Sequence, residues 1–98
     1  MINLFTTSYE EDNELRANEL KTCLENNINC QAISKIYVLF ENKVNDFPFS
    51  EKLTNIPVEK RPNFSDFFDV INRFTVDYEV NIIANADIYF DQSLDALI

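Results

Sequence analysis

The chain contains no glycine. Glycine reaches the left-handed backbone region without steric cost, and so it ordinarily closes helices, tight turns and phosphate-cradling loops. A chain without it must turn on Asn, Asp and Pro, of which Asn tolerates left-handed conformations best. The clusters Asn26-Asn27 with Asn29, Asn42 through Pro48, and Lys60 through Asn63 therefore read as connections. The same absence removes the loops G-x-x-x-x-G-K and G-x-G-x-x-G, whose glycines let the backbone approach a phosphate. Histidine is missing too, which removes Ser-His-Asp hydrolysis and His-ligated zinc.

Seventeen acidic residues against 8 basic ones give a net charge of −9. That balance argues against broad binding to a nucleic-acid backbone, which needs surplus Lys and Arg. At 98 residues the chain has the length of one domain, 1–98, with one modest core. It is 46% hydrophobic and 26% charged, which is globular composition and not that of a disordered acidic tail. No apolar run approaches the length of a membrane span. Met1 to Phe5 lacks the basic and long apolar regions of a signal peptide. Cys23 and Cys30 have no companion soft ligands, so they read as reduced thiols packing as small apolar groups, in keeping with a cytoplasmic location.

The periodicities alternate. A first strand is expected over Ile2 to Thr6. Ser8 and Glu11 have capping-box spacing and predict a helix to about Asn26, with Leu20, Cys23, Leu24 and Ile28 on its apolar face. Lys35 to Phe40 is a nearly continuous apolar run, as in a strand covered on both faces. A short third strand over Asn55 to Val58 carries Pro57, which favours a sheet edge. Asn63 can cap a second helix from Phe64 to Phe74, where Phe64, Phe67, Phe68 and Ile71 form an apolar stripe expected to enter the core. Glu79 to Ala84 reads as a fourth strand buried on both sides, and Asp91 as the cap of a final helical turn.

Alternating strands and helices imply an α/β fold: a three-layer α/β/α, Rossmann-like half domain on a mostly parallel four-stranded sheet. The simplest right-handed arrangement has strand order 3-2-1-4, with a topological switch point between strands 1 and 4. Ligands bind beyond the carboxyl ends of strands at such a point. The residues there are Thr6-Thr7-Ser8-Tyr9 and Asn85-Ala86-Asp87. A carboxylate just beyond a hydrophobic strand suits a hard divalent cation, which takes oxygen ligands. No helix needs Asp87 as a cap, whereas Asp91 has a structural reading as one.

Three stretches carry a resemblance: Leu4-Phe5-Thr6-Thr7, Arg61-Pro62-Asn63-Phe64-Ser65-Asp66-Phe67-Phe68, and Asn85-Ala86-Asp87-Ile88-Tyr89-Phe90-Asp91. In this order the chain resembles the nucleotide-sugar-binding half of GT-A glycosyltransferases, and more narrowly a group of bacterial and viral glycosyltransferase-like proteins. The family's metal motif is Asp-x-Asp; here the first carboxylate is the amide Asn85. The resemblance implies a nucleotide-diphosphate sugar as ligand. It also implies Mn²⁺ or Mg²⁺ on Asp87 and Asp91, and a nucleotide pocket lined by Thr6, Thr7 and Tyr9, with Asn85 able to bond a sugar or ribose hydroxyl. Glu41 matches an acid that recognises base or ribose, or else is a solvated loop acid. Arg61 matches a position near base or diphosphate, or else pairs on the surface with Glu59 or Asp66.

In this family the acceptor site and catalytic base lie mainly after the metal turn, and the sequence ends at Ile98. The expectation is a transferase-type binding half, with no catalytic residue assigned and catalysis by these residues alone doubtful. Its fourth strand would expose an apolar edge, to be covered by a second copy or by a further C-terminal half. Two other readings stand beside it. One is a short non-catalytic α/β binding or interaction protein. The other is an acidic mimic of nucleic acid.

Overall fold

The computed structural model describes residues 2–8, 12–41, 50–75, 79–91 and 93–94. Among them run β1 (Ile2–Ser8), α1 (Glu14–Asn29), β2 (Lys35–Glu41), β3 (Leu53–Val58), α2 (Phe64–Phe74) and β4 (Val80–Ile83). The sheet has the order β3-β2-β1-β4, and all its pairings are parallel. Thr6 is in register with Val38, Phe5 with Ile83, and Phe40 with Pro57. Pro57, which cannot donate a backbone hydrogen bond, is thus on an edge strand, where a missing donor costs least.

Alternate residues of the central strands feed two cores, because strand side chains point to opposite faces in turn. Ile2, Leu4, Ile36 and Val38 meet Leu24 and Ile28 of α1 on one face. Phe5, Tyr37 and Leu39 meet Phe67 and Val70 of α2 on the other, with Phe5 stacked on Tyr37 at 4.8 Å between ring centres. The chain is therefore three layers, helix on sheet on helix. Cys30 is buried in the first core, Cys23 is half-buried, and both are free thiols.

Four local expectations shift. β1 continues through Ser8, so α1 begins later than Ser8: its cap is Asn13, whose side chain accepts from Arg16 N at 3.0 Å. Glu11 lies outside the described residues. β4 is four residues long and half-buried throughout, being an edge strand and not one covered on all sides. The α2 stripe is only partly core: Phe67 and Val70 are buried, while Phe64 is 71% and Phe68 55% exposed. At about 100° per residue, Phe67, Val70, Ile71 and Phe74 share one arc, and Phe64 and Phe68 fall on its shoulder.

The missing glycine shows at the helix ends. The C-terminal caps, Cys30 (φ −75°, ψ 112°) and Thr75 (φ −120°, ψ 161°), are extended, so neither helix closes through a left-handed residue. Such an end leaves carbonyls in need of donors. At α1 they come from across the fold: Lys52 Nζ donates to Ile28 O at 2.7 Å and to Cys30 O at 2.8 Å. Its charge complements the negative end of the helix dipole, where the last turn of α1 holds no basic residue. Burial pushes the Lys52 ammonium below its usual pKa.

Candidate functional site

The parallel neighbours β1 and β4 end together. Ala84 N donates to Phe5 O at 3.0 Å, which extends the pairing one step past β4. The chain then turns at Asn85–Ile88, closed by Ile88 N donating to Asn85 O at 3.1 Å. Thr6, Thr7, Glu41 and Asn85–Asp87 thus lie at or just beyond the carboxyl ends of β1, β2 and β4, and Arg61 follows β3. Tyr9 lies outside the described residues.

Their side chains divide between the two faces. Thr6 is buried on the α1 side, following Ile2 and Leu4. Thr7 follows Phe5 onto the α2 side, and Glu41, half-buried, follows Tyr37 and Leu39 there. Arg61 is exposed, and among the described residues no ion pair joins it to Glu59 or Asp66. Asp66 is committed elsewhere: its carboxylate accepts from Asn63 N at 2.8 Å while Asn63 caps α2. No hydrogen bond among the described residues joins Thr6, Thr7, Glu41 or Arg61 to Asp87.

The segment after β4 folds back along α1. Two α1 residues that the sequence did not mark as site residues hold it there. Asn27, 2% exposed, donates from Nδ2 to Ile88 O at 3.0 Å and accepts at Oδ1 from Phe90 N at 2.8 Å. An asparagine amide matches one carbonyl and one N–H of the backbone at once, so both polar atoms of the buried Asn27 side chain have a partner. Arg16 reaches the same segment: its Nη2 donates to Asp87 Oδ2 at 3.2 Å and its Nη1 to Glu19 at 3.3 Å. Phe90 packs on the α1-side core and Tyr89 stays exposed. In the sequence Asn27 stands out only as part of the cluster Asn26-Asn27 with Asn29, expected to be a connection, whereas all three lie in the last turns of α1. Arg16 carries no sequence signal beyond being a basic residue within the expected first helix.

A groove of about 520 Å³ lies between α1 and the Asp87 turn, with Leu15, Arg16, Glu19, Thr22, Cys23 and Asp87 among its lining residues. Burial raises the Cys23 thiol above its ordinary pKa, and the charge of Asp87 adds to this while Arg16 opposes it.

The carboxylates proposed for a divalent cation are already engaged. Asp87 is paired with Arg16. Asp91 Oδ1 accepts from Ser93 Oγ at 2.6 Å and Ser93 N at 2.9 Å, bonds that hold its carboxyl below the usual pKa and make it the cap of a short turn leading to buried Leu94. The first position of the turn is the amide Asn85. Among the described residues no three of His, Cys, Asp and Glu gather as a ligand group. A cation on these carboxylates would replace the Arg16 pairing of Asp87 and the Ser93 contacts of Asp91. No described helix is long and apolar enough to cross a membrane. Set against known proteins, the chain matches no family model, no curated protein and no solved structure, so the site must be read from its own residues.

Proposed function

We propose that the chain is a binding module for a nucleotide-diphosphate sugar, of the GT-A glycosyltransferase kind. One observation carries the reading: a parallel β3-β2-β1-β4 sheet whose switch point brings the end of β1 and the Asn85–Asp87 turn to a common edge. Ligands of open α/β sheets bind at such an edge. Thr6 and Thr7, with Asn85, supply hydroxyl and amide groups for ribose or sugar. Glu41 and Arg61 supply an acid and a guanidinium for the base side. Asp87 and Asp91 take the role of cation ligands only on displacement of Arg16 and Ser93. The apolar edge of β4, opposite its pairing with β1, favours assembly with a second copy or with further chain.

The test is a titration of the ¹⁵N-labelled protein with UDP-glucose and GDP-mannose, with and without Mg²⁺. The reading expects shifts at Thr6, Glu41 and Asn85–Asp87. Their absence at millimolar ligand in both conditions would leave the alternative of a non-catalytic interaction protein. Competition with a DNA-binding protein for its DNA would then single out an acidic mimic. Sedimentation showing a clean monomer at high concentration removes the β4-edge assembly.

A further inference from the structure

The two edges of the sheet are unlike. On the β3 side Ile36 N donates to Lys52 O at 2.8 Å, and Ile36 is in register with Leu53. In a parallel ladder this decides which backbone groups turn inward. Lys52, Thr54, Ile56 and Val58 face β2, and Leu53, Asn55 and Pro57 face outward. Two of these three outward positions offer no donor. Leu53 N is taken by Ser50 O at 3.2 Å, and Pro57 has no N–H. A proline so placed guards an edge against further strands.

β4 has no such guard. Ala84 N donates to Phe5 O, and Phe5 is in register with Ile83. Val80, Ile82 and Ala84 therefore face β1, and Asn81 and Ile83 turn both N–H and C=O outward. Among the described residues nothing hydrogen-bonds to those four backbone groups. The strand reads Val-Asn-Ile-Ile, with no proline and no charge, and it is half-buried throughout.

We infer that β4 pairs antiparallel with β4 of a second copy, about a twofold axis at Ile82, and that assembly stops at two. The inference commits the β4 edge to one occupant and one register, and it does not depend on nucleotide binding. In this register Asn81 exchanges both backbone bonds with the partner's Ile83, and Ile83 with the partner's Asn81, so all the outward groups are satisfied. Centring the axis on Asn81 or Ile83 instead draws in Glu79 or Asn85, outside β4, and Asn85 O already accepts from Ile88 N. On the α1 side Val80, Ile82 and Ala84 of both copies meet, extending an apolar face that includes Phe90. Glu79 comes opposite the partner's Asn85, so within residues 79–85 no acid faces an acid. The competing contact, β4 of one copy on β3 of the next, would propagate as an open filament, and the guarded β3 edge closes that route. Each copy carries a charge of −9, so the copies repel at long range and salt strengthens their association.

The experiment is sedimentation equilibrium of the whole chain up to millimolar concentration, in low and high salt, with amide hydrogen exchange read at the same concentrations. The mass is expected to rise to twice the 11.5 kDa of one chain and no further, at lower concentration in high salt. Exchange at Asn81 and Ile83 is expected to slow roughly tenfold once most chains are paired, while Asn55 on the β3 edge keeps its rate. Cysteine cross-linking then reads the register. Ile82 faces its own copy across a non-hydrogen-bonded pair, about 4.5 Å between Cα atoms, which a disulfide spans. Mild oxidation should therefore link Ile82→Cys into a covalent dimer, and should not link the parent, with its own Cys23 and Cys30, or Ile83→Cys. Both substitutions trim half-buried side chains, so far-UV circular dichroism checks each fold, and exchange in the parent carries the test if either variant unfolds. A monomer at millimolar concentration in high salt overturns the inference and leaves the edge to a strand of another protein. A series of larger species, a dimer with unprotected Asn81 and Ile83, or preferential linking of Ile83→Cys overturns it as well.

Discussion

The two faces of the sheet are covered by helices of opposite character. α1 meets its face through apolar contacts from Leu24 and Ile28, and it gains its neighbours through directed polar contacts: Arg16 to Asp87, Asn27 to Ile88 and Phe90, and Lys52 to its final carbonyls. α2 is strongly amphipathic, closed by the reciprocal Asn63–Asp66 capping box, and meets its face through Phe67, Val70 and Ile71. It leaves Phe64 and Phe68 in solvent. Apolar packing tolerates a rotation of the helix about its axis, whereas a hydrogen bond fixes position to a fraction of an ångström. The Asp87 turn accordingly lies on the α1 side, where orientation is set by bonds, while Thr7 and Glu41 face the α2 side.

That contrast can be broken at several points. Phe67→Ala removes the most buried aromatic of α2 and should lower stability by about 3–5 kcal/mol in urea unfolding. Asn27→Ala should cost about 2–4 kcal/mol, because Ile88 O and Phe90 N lose a shared buried partner. It should also shift the amides of the Asp87 turn, which Phe67→Ala should leave in place. A fully stable Asn27→Ala would end the argument that polar contacts organise the α1 side. Lys52→Met should cost about 1–2 kcal/mol by stripping two carbonyls of their donor. Phe68→Ser should change stability by no more than about 0.5 kcal/mol, in keeping with its exposure.

The smallest effect is one of pH. The Asp91 carboxyl is held below its ordinary pKa by Ser93, so its contribution is fully present above the unfolded value and is lost as pH falls through the lowered one. Asp91→Asn should flatten the acid limb of the stability profile slightly and leave the neutral region alone.

The strand order, the second helix with its Asn63 cap and the edge position of Pro57 were legible in the sequence because each rests on a local pattern or a handedness rule. The start of α1 was not. Ser8-x-x-Glu11 and Asn13 both offer a cap, and the choice fell to how far β1 could pair with β2 through Ser8↔Phe40. The exposure of Phe64 and Phe68 was hidden for a related reason: periodicity identifies the apolar positions but not which arc meets the sheet. The site was legible as a set of strand ends. Its division between two faces follows from alternation along β1 and β2. The partners Arg16 and Asn27 are set by where the chain goes after β4, which no local pattern encodes.

Lys52, at the approach to β3, and Asn27, bonded to the segment after β4, both fasten to the C-terminal half of α1. That helix end cannot fray alone. To open it, the approach to one edge strand and the exit from the other must be released together. In amide hydrogen exchange the last turn of α1, a place where helices ordinarily exchange early, should therefore exchange in step with β3 and with Phe90 as one cooperative opening.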